Sequence, residues 1–340
     1  MRHLLGYLLV SAFIALCGCS SSDNNNTPDI GVTVDSAVTD LAAVDTLSPD
    51  ITPDLPPANT DWISMSNPAG GQLLSIHGTS ATNIYAVGAQ GTVIHFDGSV
   101  WRTVSFNVPT KTQLHGVFAL DEKAVYAVGD GLILKYDGTN WTEDHKSSYS
   151  SAFRAAWGHP QGSMYTVGEQ GTIKSRSSSS SYWSTHYISS STNLHAVWGS
   201  APDDVYAVGD GGKLLHNTGG TSWSEIDLGV ETHLRAIWGR AKDDIYIAGY
   251  DGLVIHFDGT NWTKIATPTS SYFYGLWGDA KNIYVVGHAL FAAGESVFRY
   301  DGSGWTKMTA PTTAPLNAIW GTDEKEIFIV GNVDILRRKK

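Results

Sequence analysis

From residue 74 onward, short apolar runs alternate with Gly- and Asp-rich breaks, and the same three phrases return in the same order about every forty residues. The first phrase begins with Leu or Phe, continues with a variable residue and two small or apolar residues, and ends on an aromatic, usually followed by Gly. It occupies 74–78, 114–119, 153–158, 194–199, 234–239, 273–278 and 316–321, with Trp157, Trp198, Trp238, Trp277 and Trp320 at the aromatic place and His77 and Phe118 as departures. The second phrase is an aromatic, two small or β-branched residues and Gly, at 85–88, 126–129, 165–168, 206–209, 246–249, 284–287 and 328–331. Its residues favour strands, and its Gly is expected to start a tight turn. The third is an alternating run closing on Asp-Gly with Trp four residues after the Asp: Asp97 before Trp101, Asp137 before Trp141, Asp258 before Trp262 and Asp301 before Trp305. Asp-Gly between two strand runs is a strong hairpin signal. Gly219 and Gly220 stand before Trp223, and a serine run before Trp183.

Each repeat therefore predicts a four-stranded antiparallel sheet that cannot cover its own apolar faces, and such units are stable only when stacked. Seven of them predict an all-β fold, a seven-bladed β-propeller over 61–340. The seventh repeat reaches residue 340 without a closing Trp strand, while an unmatched Trp-Ile-Ser at 62–64 precedes the first repeat. The N-terminal strand is expected to complete the last blade. All twelve Trp then have structural positions: five on opening strands and seven on trailing ones.

Ahead of the repeats the pattern changes. Arg2 and His3 followed by the apolar run 4–16 read as an export signal, too short to span a bilayer. Leu16, Cys17, Gly18 and Cys19 then resemble a bacterial lipobox, which implies a signal peptide at 1–18, lipidation at Cys19, and an outer-membrane lipoprotein of the cell envelope. Removal of Cys17 with the signal would leave no thiol pair to oxidise. Between residues 20 and 60 there are seven Asp, five Pro and no Lys or Arg. The segment 19–60 reads as a self-repelling acidic tether without a core. It lacks the turning Gly and bidentate Glu of a calcium loop.

The whole chain carries 33 acids against 22 bases, and without the tether and Arg2 the balance is still 26 to 21. That excludes a generally basic surface and argues against nucleic acid as a partner. The only membrane contact expected is through the lipid, and the chain is expected to be a monomer.

In phrase order, Tyr-Ala-Val-Gly followed by Asp-Gly and Trp, the repeats resemble the BNR/Asp-box propellers, which include sialidases, and the related propellers of photosystem assembly factors, over 62–340. They differ in that an Asp-box sets its Asp five residues before Trp, whereas here the spacing is four and Gly follows Asp directly. A sialidase-like site implies three arginines converging on a carboxylate beside a Tyr/Glu pair and an acidic proton donor, and no motif places Arg102, Arg154, Arg176, Arg235, Arg240 and Arg299 in that way. The Asp-Gly residues and the recurrent His95, His216 and His256 fall one per blade, which suits turns and strand packing better than a metal. No catalytic residue, metal or cofactor is assigned.

One position resists a structural explanation. The second residue of the opening strand is Ser75, His115, Arg154, His195, Arg235, Tyr274 and Asn317, polar in every blade between apolar neighbours. Innermost strands entering from the ligand-binding face would gather these side chains at one mouth of the channel. With two Arg and up to two protonated His, that ring would suit an anionic or hydroxyl-rich ligand. The enlarged turn of the sixth repeat, 288–296, adds Leu290 and Phe291 as expected loop contacts. Two readings stay open: a lipid-anchored binding or assembly module that holds a protein segment or glycan, or a carbohydrate-active hydrolase or lyase of sialidase-like type.

Overall fold

A computed structural model describes residues 61–106, 112–147, 152–188, 190–289 and 297–338. The signal peptide, Cys19 and the tether lie outside them. The described residues form seven four-stranded antiparallel sheets, six of them joined in simple sequence order. The inner strands are Leu73–Ser80, Leu114–Asp121, Phe153–His159, Leu194–Ala201, Leu234–Ala241, Tyr272–Gly278 and Leu316–Asp323, defining blades 1 to 7. Each packs against the inner strands of both neighbours, blade 7 against blade 1 included, so the ring is closed. Blade 7 takes its outer strand from the other end of the chain: Trp62–Met65 pairs antiparallel with Ile335–Arg338, Trp62 facing Arg338. Trp62 is only 1% exposed, and the Asp61 main chain and carboxylate clasp Thr309 of blade 6.

The second strands form the driest layer. Val125, Ala127, Val128, Ile245, Ile247 and Ala248 are fully buried, as a strand covered on both faces must be. The Gly that ends each second strand is explained by close approach. Gly88 and Gly168 have extended backbone, with φ −172° and −170°. A Cβ on Gly168 would sit 2.0 Å from the carbonyl oxygen of Ala152, the residue just before the inner strand of the same blade, and one on Gly129 equally close to Gln113. That carbonyl accepts the N–H of the residue after the Gly, as in Glu169 to Ala152 at 2.9 Å and Asp210 to Asn193 at 3.0 Å. The tight turn expected to start at this Gly does begin directly after it. The left-handed residue comes two places later, at Gln90, Gln170, Gly211 and Asp251.

The Asp-Gly turns carry the local chemistry expected of them. Asp97 Oδ1 accepts the N–H groups of Ser99 and Val100, Asp258 repeats the bonds to Thr260 and Asn261, and the Gly has φ near +90°. These donors hold the carboxylates of Asp97, Asp137 and Asp258 below their usual range. His95, His216 and His256 also have a packing role. Each lies against the Tyr of the second strand and bonds the residue at that strand's start, Asn83, Asp204 or Asp244, at 2.7–2.8 Å.

Between blades the inner Trp residues act as latches. Trp157 reaches the Gly199 backbone of the next blade, Trp198 that of Gly239, Trp238 that of Gly278, Trp277 that of Gly321 and Trp320 that of Gly78, each so closely that a Cβ would fall 2.6–2.9 Å from the indole. Where blade 2 has Ala119 at the Gly place, blade 1 supplies His77 in place of Trp. Its Nδ1 accepts the Ala119 N–H at 3.1 Å.

Candidate functional site at the channel mouth

Every inner strand carries an irregularity at the same place. The pairing with the second strand skips one residue between Leu73 and Ser75, Leu114 and Gly116, Phe153 and Ala155, Leu194 and Ala196, Leu234 and Ala236, Phe273 and Gly275, and Leu316 and Ala318. The extra residue of a β-bulge has no partner in the ladder and is aimed out of the sheet. The seven bulged residues are Leu74, His115, Arg154, His195, Arg235, Tyr274 and Asn317, and all line one cavity of about 400 Å³ at the channel mouth.

Six of the seven residues singled out in the sequence are in that ring. Ser75 is not. It sits in the paired register opposite Val87, and its hydroxyl accepts the Val117 N–H of blade 2 at 3.1 Å. The first blade's opening phrase begins at Leu73, so apolar Leu74 holds the mouth position. Leu290 and Phe291 lie outside the described residues.

The ring is supplemented by residues the sequence reading passed over. Gln72 and Pro315 precede inner strands, while Tyr250 and Asn332 follow the Gly of the second strand. The same place after that Gly supplies Asp130, Glu169 and Asp210. A signal was present in the sequence: the residue after each Val-Gly or Ala-Gly is polar or aromatic in every blade but the first.

These turn residues organise the bulged ones into two similar relays. In blades 2 and 3, Asp130 Oδ1 pairs with His115 Nε2 at 2.9 Å, and His115 Nδ1 accepts from the Arg154 guanidinium at 3.2 Å. In blades 4 and 5, Asp210 Oδ1 pairs with His195 Nε2 at 2.6 Å, and Arg235 lies 3.1–3.3 Å from the imidazole nitrogens. The imidazoles are neutral, contrary to the expectation of protonated His. Burial lowers the pKa of His115. Burial first, and then the Arg235 charge, push His195 down to about 4.

The relays differ in where the arginine ends. Arg154 is ion-paired with Glu169. Arg235 has no carboxylate against it among the described residues; its guanidinium lies over the rings of Tyr250 and Tyr274, 5.5 and 5.9 Å from their centroids. Tyr250 is itself stacked on Tyr272, with centroids 4.1 Å apart. Across the mouth, Asn332 Oδ1 accepts from both Gln72 Nε2 and Asn317 Nδ2, at 2.7 and 3.0 Å. One side of the cavity is thus cationic and aromatic, and the other is lined by amides.

No protein-family model and no curated protein sequence matches the chain. Solved structures do. Ycf48 bound to a D1 peptide superposes with a TM-score of 0.67 at 16% identity, covering 83% of this chain and 96% of that one. A catalytically inactive virginiamycin B lyase from Staphylococcus aureus with quinupristin gives 0.71 at 8% identity, covering 82% and 98%. The extracellular domain of a putative one-component system from B. thetaiotaomicron gives 0.67 at 11%, covering 82% of this chain and 40% of that one. The chain is a seven-bladed β-propeller, similar in fold to Ycf48, to virginiamycin B lyase and to the extracellular domain of a putative one-component system.

Proposed function

We propose that this protein is a non-enzymatic binding module of the bacterial cell envelope, tethered through a lipid on Cys19, that holds a protein segment or glycan at the channel mouth. The observation that carries this reading is the convergence of seven bulged residues on one cavity, where an arginine is held by a neutral histidine and keeps its charge for a ligand. A cavity of about 400 Å³ lies within the range of specific small-ligand sites, roughly 300–1,000 Å³. The peptide bound by Ycf48, a propeller of the same fold, supports a protein segment as one kind of occupant. Catalysis is the weaker reading. An acid–base histidine needs a nitrogen free for a substrate proton, and both nitrogens of His115 and of His195 are engaged.

The test is to expose the purified full chain to glycan and peptide arrays and to follow retention and turnover separately. Retention that falls at least tenfold in Arg235→Ala, without turnover, is the expected result. Turnover abolished by that replacement would establish the hydrolase or lyase instead.

A further inference from the structure

The mouth is asymmetric, and the asymmetry narrows what it can hold. Arg154 donates to Glu169, so that side of the ring carries two carboxylates, Asp130 and Glu169, against one guanidinium. On the other side Asp210 reaches Arg235 only through His195, which orients the guanidinium without neutralising it. A guanidinium whose one NH2 group lies 3.1–3.3 Å from the imidazole nitrogens of His195 and which is flanked by phenol rings keeps its remaining N–H groups for a planar anion, and a carboxylate matches such a fork with two parallel hydrogen bonds.

The opposite wall is built for hydroxyls. In the Gln72–Asn332–Asn317 chain, each amide spends only part of its capacity. Asn332 Oδ1 is used twice and Asn317 Nδ2 also donates to the Leu73 carbonyl at 2.7 Å, which leaves the Asn332 NH2 group and the side-chain carbonyls of Gln72 and Asn317 for other partners. Such groups serve alcohol donors and acceptors equally well. Between the walls, Tyr250 and Tyr274 offer apolar ring surface with a polar tip. A volume of about 400 Å³ suits one or two pyranose rings rather than a long chain.

Resting on the binding-module reading, we infer that the channel mouth between Arg235, Tyr250, Tyr274 and the Asn317–Asn332 amides is a site for a carboxylated sugar, a uronic acid residue whose carboxylate meets Arg235 and whose hydroxyls meet the amides. The occupant is a glycan unit, and a peptide carboxylate is the rival outcome.

The experiment titrates the full chain with galacturonic acid, its short oligomers and galactose, using isothermal calorimetry and ligand-observed NMR, alongside an acidic peptide. The uronates are expected to bind at least tenfold more tightly than galactose. Arg235→Ala should erase that difference while keeping the wild-type melting temperature. Because the galacturonate-to-galactose ratio is read on the unaltered protein, a misfolded variant does not remove the test. Equal affinity for the acid and the neutral sugar overturns the inference, as does an unchanged ratio in folded Arg235→Ala. Binding of the peptide at the mouth without uronate binding also overturns it but leaves the module reading intact, whereas no binding of either class overturns both.

Discussion

At the residue scale, His77 shows how one side chain can make the fold sensitive to pH. Its ring lies 4.4 Å from that of Phe118, and its Nδ1 accepts a backbone N–H, so a proton there would face another donor. Burial pushes its pKa to about 4, as burial and Arg235 do for His195. A histidine whose pKa is lower folded than unfolded takes up its proton only on unfolding. Stability should therefore be fully present above the unfolded value of 6.5 and fall as the pH drops toward 4, by at most on the order of 3 kcal/mol for His77. Melting temperature against pH should show this slope, and His77→Phe should flatten it. An unchanged slope in that variant would assign the effect to other groups. The mouth residues follow a residue-scale rule of their own: a bulge frees one side chain from the ladder, and the chain can put any chemistry there at little cost to the sheet.

At the scale of strands and blades, the fold is held by a repeated pairing of a large ring with a missing Cβ. Gly199→Ala would set its Cβ 2.7 Å from the Trp157 Cη2 atom, and overpacking of this kind costs roughly 1–3 kcal/mol. The one blade interface without this pairing, His77 over Ala119, has exchanged both partners together. His77→Trp alone should clash with Ala119 and destabilise, and His77→Trp combined with Ala119→Gly should recover most of the loss. Denaturant unfolding of the two single variants and the double gives the coupling energy. Additive losses would mean that the indole and the glycine do not depend on each other.

At the scale of the whole molecule, the ring depends on a joint between its two ends. Trp62 is buried in a cluster that includes Phe328, Ile335 and Leu336 of blade 7 and residues of blade 1, so the strand it leads seals two interfaces. Trp62→Ala should cost roughly 3–5 kcal/mol. Deleting 61–65 should lower the melting temperature far more than deleting five residues between 40 and 50. Equal melting temperatures for the two deletions would argue against closure by this strand. The same closure fixes the mouth, because a cavity lined by all seven blades exists only while the ring is shut.

Most of the fold was legible in the sequence because it repeats. A phrase seen seven times identifies strands, turns and blade number together, and the unmatched Trp62 strand identifies the closure. Six of the seven mouth positions were legible for the same reason: polar residues at one fixed place in apolar strands. Ser75 was misassigned because adjacent Leu73 and Leu74 allow two registers in the sequence, and only pairing with Leu73 opposite Gly88 decides which residue bulges. The amino-acid order by itself determined the repeat, the strand pattern and the closing strand, since these rest on local alternation and turn chemistry. Which charges remain available was decided by the tertiary structure alone. The neutral histidines, the pairing of Arg154 with Glu169 and, among the described residues, the absence of a carboxylate beside Arg235 all arise from burial and from contacts between neighbouring strands and turns, which no local pattern encodes.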